Sequence, residues 1–295
     1  MMGVMPRVIW YGLAILIGLA GASVYLAEGA VHIWKRDAAE TAAANAIAKQ
    51  GAASWKAVQT AGRDGAQLSA WLLTPREPNG GAVILMHGVG DTRMGMSGHA
   101  PFLLRAGYTV LMPDSRGHGM SGGDIITYGL REAEDVHRWA GLVLAEPGIG
   151  RLYGLGQSMG ASILIQSLAR ENRFRALVAD CPFATFDEIA HDRMSQNGIP
   201  AWPLVPLGFV YARARYGVQL TQASPVEALR AGRTPVLLIH GTADTNIPPR
   251  HSRELHAANP AFTELWEVPG AGHVASLGTQ PAEYRQRVLA WFQTR

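Results

Sequence analysis

Five short apolar runs constrain this chain more than any other feature: AVILMH (82–87), YTVLMPD (108–114), RLYGLG (151–156), ALVAD (176–180) and PVLLIHG (235–241). Their hydrophobicity is nearly continuous rather than alternating. That suits strands buried on both faces, as in a parallel sheet. Between them lie stretches with helical spacing, at 97–106, 130–145, 159–170, 249–258 and 281–293. Over 130–145, Leu130, Ala133, Val136, His137, Ala140, Val143 and Leu144 share one stripe, with Glu132, Asp135 and Arg138 outside it. Strand–helix alternation of this kind implies a doubly wound α/β fold with a mostly parallel central sheet and helices on both faces. Upstream, 55–61 and 67–74 read as two strands flanking the turn Arg63-Asp64-Gly65. With 295 residues, 48% of them hydrophobic, the chain can fill one large α/β domain plus small additions.

The N-terminus carries a different signal. From Val8 to Ala27, twenty residues pass without a charge. As a helix they would span about 30 Å, the thickness of a bilayer's hydrocarbon core. Trp10, Tyr11 and Tyr25 stand near the ends, as interfacial aromatics do. Three readings follow: an uncleaved single-pass anchor, a signal peptide cut after Ala20-Gly21-Ala22, or a buried helix of a soluble domain, for which a terminal run this long is a poor core element. The apolar run continues past that site to Ala27, which favours the anchor. Arg7 precedes the segment and Lys35 and Arg36 follow it, so the charge count is nearly balanced. We take the N-terminus as inside and the bulk of the chain as exported. Ala14, Gly18 and Ala22 put small residues on one stripe, which permits helix pairing. The resulting division is a membrane segment over 1–36, an alanine-rich helical linker over 37–54 and the α/β domain over 55–295. It implies that the domain folds and works without residues 1–36.

Composition excludes several function classes. The formal net charge is only +3 and the arginines are scattered, so no nucleic-acid partner is expected. The only lysines are Lys35, Lys49 and Lys56, which leaves the rest of the chain without a P-loop or Schiff-base lysine. The single cysteine, Cys181, cannot form an intramolecular disulfide or a cysteine-based zinc cluster. There is no H-E-x-x-H, and His251 and His256 are five apart on a helix-like stretch, where they read as surface residues. Neither a metal nor a cofactor is expected.

The pattern G-x-S-x-G occurs twice, at Gly119–Gly123 around Ser121 and at Gly156–Gly160 around Ser158. Only the second lies between a strand (RLYGLG) and a helix (MGASILIQSLAR), the context that strains the turn and exposes the hydroxyl. Ser158 is therefore the expected nucleophile; a plain helix N-cap would need no glycine on either side. In a strand–turn–helix site of this kind the chain order is serine, acid, histidine. His273, in the glycine loop Pro269–His273 after TELWEV (263–268), is the expected base. His240 ends a strand and is expected to be packed or hydrogen-bonded there. The acid is read as Asp244, in the loop after strand 235–241; Asp180, which also ends a strand, is the competitor. The backbone N–H groups of Val89 and Met159 would form the oxyanion hole.

Between Asp180 and Pro235 lie over fifty residues that break the rhythm, including the stretch 199–217 with Pro200, Pro203 and Pro206 and four aromatics. This stretch, about 184–224, reads as a lid. Its Trp202, Phe209 and Tyr211, with Leu204 and Leu207, either bind an acyl substrate or merely cover core. Arg193, Arg213 and Arg215 either bind an anionic group or form a solvated face.

Taken in order, His87-Gly88, Asp114–Gly122, the elbow at Ser158, His240-Gly241-x-x-Asp244 and Gly272-His273 resemble the α/β-hydrolase superfamily over about residues 55–295. The length, the Asp180-Cys181-Pro182-Phe183 turn and the short lid are similar to its serine aminopeptidase-like and membrane-anchored branches. The resemblance implies an esterase, lipase, thioesterase or peptidase. Serine at the elbow argues against dehalogenases and epoxide hydrolases of this fold. The expectation is a membrane-anchored serine hydrolase acting on an ester or thioester of a small-molecule or lipid-like acyl substrate. An aminopeptidase would need an acidic pocket, for which Asp187, Glu188 and Asp192 are candidates; a non-catalytic binding module would tolerate a damaged triad.

Overall fold

A computed structural model of the chain describes residues 7–35 and 41–295. Arg36, counted above for membrane orientation, and the first residues of the supposed linker lie outside the described residues. Eight strands form one sheet in the order β1-β2-β4-β3-β5-β6-β7-β8. The hairpin β1 (Ala53–Ala61) and β2 (Gln67–Pro75) sits at one edge, and β2 pairs antiparallel with β4 (Thr109–Pro113). All further pairings, through β3 (Gly81–Met86), β5 (Arg151–Gln157), β6 (Phe174–Asp180), β7 (Val236–Gly241) and β8 (Thr263–Val268), are parallel. Strand order reverses at β3, whose neighbours are β4 and β5. The crevice beyond the carboxyl ends of β3 and β5 is therefore where a doubly wound sheet places its ligand.

The apolar runs supply both faces at once. Along β3, Val83 and Leu85 join one core, while Ala82, Ile84 and Met86 join the other. The first core is closed by α2 (Thr41–Gln50), α3 (Ala100–Arg105) and α11 (Pro281–Gln293); the second by α4 (Glu132–Leu144), α5 (Met159–Ser167) and α8 (Pro225–Ala231). The α2 result corrects the linker expectation. Ala44, Ile47 and Ala48 are buried within the first core, so this helix is part of the domain. Their i, i+3, i+4 spacing is a one-sided stripe too thin to stand out from an alanine-rich background.

Helix α1 (Arg7–Val31) contains a 23-residue stretch, Ile9–Val31, long and apolar enough to cross a membrane. Its two ends differ. Ile9, Trp10, Tyr11, Leu13, Ile15, Leu16 and Ile17 are exposed, whereas Ser23, Ala27 and Val31 are buried against the rest of the molecule. The stripe used is not Ala14, Gly18 and Ala22, which stay exposed. Val31 O accepts from Ile126 N at 2.9 Å, and Lys35 Nζ donates to Ser121 O at 2.7 Å. The last turns of α1 are thus built into the domain.

Two buried histidines set an expected pH dependence. Burial pushes His99 down to about 4, and burial together with neighbouring His87 does the same to His118. In the unfolded chain both titrate near 6.5. The folded state therefore binds fewer protons between about pH 6.5 and 4, so stability is present at neutral pH and falls as pH drops through that window. Each group contributes about 2–3 kcal/mol between pH 7 and 4.5. Urea unfolding of the detergent-solubilised chain should register this, and His99→Gln should weaken the slope. An unchanged slope in that variant contradicts the assignment.

Candidate active site

β5 runs into α5 through Ser158, which takes φ 52° and ψ −121°. Backbone strain at such a non-glycine position costs of order 1–3 kcal/mol and must be imposed by its surroundings. Here the surroundings do so. A Cβ at Gly156 would lie 2.6 Å from Ala161 N, and one at Gly160 would lie 2.5 Å from the His87 carbonyl oxygen. Only glycines let strand, helix and the end of β3 come this close. Ser158 N donates to Asp180 O at 2.8 Å, tying the turn to the neighbouring strand.

Ser158 Oγ lies 2.9 Å from His273 Nε2, and His273 Nδ1 lies 2.7 Å from Asp244 Oδ2. Asp244 can only accept, so Nδ1 carries the proton and Nε2 is free to accept from the serine hydroxyl. The other Asp244 oxygen accepts from Asn246 N and Ile247 N at 2.8 and 2.9 Å. Burial alone would raise this carboxyl. Hydrogen bonds from His240 and His273 and the N–H of Ile247 outweigh it and hold the group well below the usual carboxylate range. β7 and β8 are adjacent, so the loops bearing Asp244 and His273 emerge side by side. A serine hydroxyl hydrogen-bonded to an oriented imidazole is the arrangement that activates a nucleophile.

The loop after β3 covers the serine: a Cβ at Gly88 would lie 3.3 Å from Ser158 Cβ. Two histidines hold this loop. His87 Nε2 accepts from Ser115 N at 3.0 Å while its Nδ1–H donates to Gly88 O at 2.8 Å. His118 Nε2 accepts from Gly90 N at 3.2 Å while its Nδ1–H donates to Arg116 O at 2.8 Å. Both rings must be neutral to accept, and burial pushes both pKa values down. Val89 sits between these clamps, and Met159 opens α5, where the N–H has no intrahelical acceptor.

The model of the alpha/beta hydrolase family matches residues 83–287. The chain belongs to the alpha/beta hydrolase family. YqkD of Bacillus subtilis, itself uncharacterised, is 29% identical over 229 residues, covering 76% of this chain and 74% of its own. YfhR of Escherichia coli, also uncharacterised, is 27% identical over 248 residues, 80% of each chain. Among solved structures, the esterase Pf2001 of Pyrococcus furiosus superposes with a TM-score of 0.73 at 25% identity, across 90% of this chain and 99% of that one.

The residues set aside as alternatives to the Ser158–His273–Asp244 chain occupy other places in this hydrolase. Ser121 is buried; its Oγ donates to Asp114 O at 2.7 Å and accepts from Ser69 N at 3.0 Å, which staples a loop. Asp180 is buried, and its Oδ1 accepts from Ser276 Oγ at 3.0 Å. Burial raises its pKa. His240 is fully buried, with its ring nitrogens on Ser252 Oγ at 2.6 Å and Ile247 O at 2.8 Å. His251 is a correction. It is buried rather than at the surface, accepting from Ala184 N at 3.2 Å and contacting Asp192 Oδ2 at 2.9 Å. The lid helix α6 (Phe186–Gln196) delivers Asp192 onto α9 (Arg250–Ala258) and covers the ring, which the polar texture of α9 does not reveal. Ligand-type atoms of Cys181, His240 and Asp244 lie within 4.8 Å of one another. The His240 and Asp244 atoms are already hydrogen-bonded within the protein, so the cluster works as internal support for the acid.

Beside Ser158 opens a cavity of about 440 Å³, within the range of small-molecule sites. Phe209 lines it, along with Phe183, Phe186, Ile189 and Met194. Trp202 and Tyr211 do not. Trp202 is 77% exposed, and Tyr211 turns its hydroxyl to Glu28 Oε1 at 2.5 Å. Which lid residues face inward depends on how α7 (Ala201–Tyr216) rotates, and its apolar side chains lie all round the helix. Arg213 and Arg215 are exposed, whereas Arg193 lines the cavity and donates to Asn246 Oδ1. Asp187, Glu188 and Asp192 do not line it. The sequence reading missed one wall altogether: Ser23, Leu26, Ala27 and Ala30 of α1.

Proposed function

We propose that this hydrolase cleaves carboxylic esters or thioesters through an acyl-enzyme on Ser158. The observation that carries the reading is the unbroken hydrogen-bonded series from Ser158 through His273 to Asp244, with Ser158 lining an apolar cavity. His273 Nε2 takes the hydroxyl proton as Ser158 Oγ bonds to the acyl carbon. The carbonyl electron pair moves onto oxygen, facing the N–H groups of Val89 and Met159. As the intermediate collapses, the bond to the leaving oxygen or sulfur breaks and His273 returns the proton to it. Water then repeats the cycle on the acyl-enzyme, while Asp244 stays ionised and holds the imidazole.

An esterase among its structural neighbours supports an ester substrate. The YuxL peptidase of Bacillus subtilis, 25% identical, raises the peptidase alternative, although this chain spans only 38% of its length. No acidic side chain lines the cavity among the described residues, which speaks against capture of a free amine there. The exposed apolar turns of α1 support a single-pass anchor.

The test is a substrate panel on the purified full-length protein. p-Nitrophenyl esters and acyl thioesters should be hydrolysed at least about a hundredfold faster, in kcat/KM, than aminoacyl anilides, a difference of about 2.7 kcal/mol in transition-state stabilisation. Preference for the anilides refutes the esterase reading in favour of the peptidase.

A further inference from the structure

We infer that the last turns of α1 form part of the acyl-binding site itself, so that the enzyme accepts an acyl chain of a membrane lipid directly from the bilayer that α1 enters. This rests on the Ser158 reading above and deepens it.

Ser23, Leu26, Ala27 and Ala30 follow helical spacing and form one wall of the cavity, which Met194 and Val205 of the lid and Ser158 and Met159 also line. The wall is firmly seated. A Cβ at Gly208 of α7 would lie 3.5 Å from Ser23 O and 3.6 Å from Ala27 Cβ, so the two helices cross within van der Waals reach at this point. Glu28 accepts from the hydroxyls of both Tyr211 and Tyr216, at 2.5 and 2.6 Å, and Tyr128 donates to Ala30 O at 2.7 Å. These contacts fix the rotation of α1 about its axis, and with it which residues face the cavity.

The same helix continues away from the domain as exposed apolar turns from Ile9 to Ile17. The α7 helix that packs on it also exposes apolar side chains: Trp202 at 77%, Leu207 at 40% and Val210 at 65%. A water-facing lid has no use for these, whereas a lid resting in the membrane interface does, and tryptophan is the side chain enriched at that depth. Arg193 is the one charged side chain on the cavity wall among the described residues, and it is engaged by Asn246. What remains is an apolar slot between a membrane helix and a lid, leading to the nucleophile. An alkyl chain moving from bilayer to slot exchanges one apolar surrounding for another, so it need not cross water.

The experiment separates this proposal from the hydrolase reading by using the full chain with Ser158→Ala, which needs no turnover. The protein is placed in phosphatidylcholine nanodiscs doped with a phosphatidylcholine carrying a terminal diazirine on one acyl chain, then irradiated. Adducts should appear on Met159 and Met194, inside the cavity, as well as on the exposed turns Ile9–Ile17. Ala27→Trp in the same background should cut the cavity adducts at least fivefold relative to those on Ile9–Ile17. In the Ser158 enzyme, Ala27→Trp should lower kcat/KM for dodecanoyl esters at least tenfold more than for acetyl esters. Leu26→Ala, which opens the wall without crowding it, should shift the preference toward longer chains. Adducts confined to Ile9–Ile17, or an unaltered chain-length profile in both variants, overturn the proposal even if Ser158 proves to be the nucleophile. Cavity adducts in a protein that hydrolyses no ester would support the lipid site and refute the esterase reading.

Discussion

Replacing Ser158 by alanine should lower ester turnover by about 10⁵- to 10⁶-fold, the scale of loss when the nucleophile of such a triad is removed. The argument is local. Among the serines read as candidates, Ser158 alone has its Oγ on an imidazole nitrogen, at 2.9 Å. It also stands at the start of α5, where backbone N–H groups lacking helical acceptors face developing negative charge. Ser121 carries the same five-residue pattern and has neither advantage, since its hydroxyl is consumed by Asp114 O and Ser69 N. A fluorophosphonate probe should therefore label the native protein at Ser158 and leave Ser158→Ala unlabelled. The fold should survive, because the hydroxyl bonds only His273 while the backbone bond from Ser158 N to Asp180 O remains. Labelling that persists in Ser158→Ala and disappears in Ser121→Ala would move the nucleophile to the other motif.

That contrast explains what was legible in the sequence. A nucleophile elbow is a steric demand, and steric demands appear as residue types: glycine at 156 and 160, because any Cβ there meets backbone. Double-faced burial likewise appears as unbroken apolar runs, so the parallel strands were readable. What depends on partners distant in sequence was not. Hydropathy marks α1 as apolar without marking that Ser23 and Ala27 close on Gly208 of the lid. His251 looks solvent-facing on a polar helix until α6 places Asp192 over it. Trp202 and Tyr211 looked like substrate contacts because their type suits one, yet a non-helical kink at Trp202 leaves it exposed, and the rotation of α7 turns Tyr211 to Glu28. Hydropathy likewise gives no sign that residues 1–36, read as a separable segment, supply Ser23, Leu26, Ala27 and Ala30 to the cavity wall.

The choice of acid is where sequence and geometry can be set against each other most sharply. Asp180 ends β6 and Asp244 follows β7, both parallel strands, and both residues are buried. Their surroundings push them opposite ways. Asp244 receives hydrogen bonds from His273, Asn246 and Ile247, with His240 Nε2 3.4 Å away, and is held as an anion well below the usual range. Asp180 is raised by burial, with Ser276 and Cys181 as its donors. An anion that accepts from Nδ1–H keeps His273 in the tautomer that can take the serine proton, and it stabilises the imidazolium that forms. A neutral amide at 244 presents either a carbonyl, which keeps the tautomer without the charge, or an NH₂, which forces the proton onto Nε2 and blocks the base. Asp244→Asn should therefore cut kcat about 10³- to 10⁴-fold. At 180 the amide nearly matches a carboxyl that burial already biases toward its neutral form. Asp180→Asn should leave kcat within about tenfold of the native value, with its effect appearing in the unfolding midpoint instead. Steady-state kinetics of the two variants decides the matter: turnover lost at 180 and kept at 244 would transfer the acid role to Asp180.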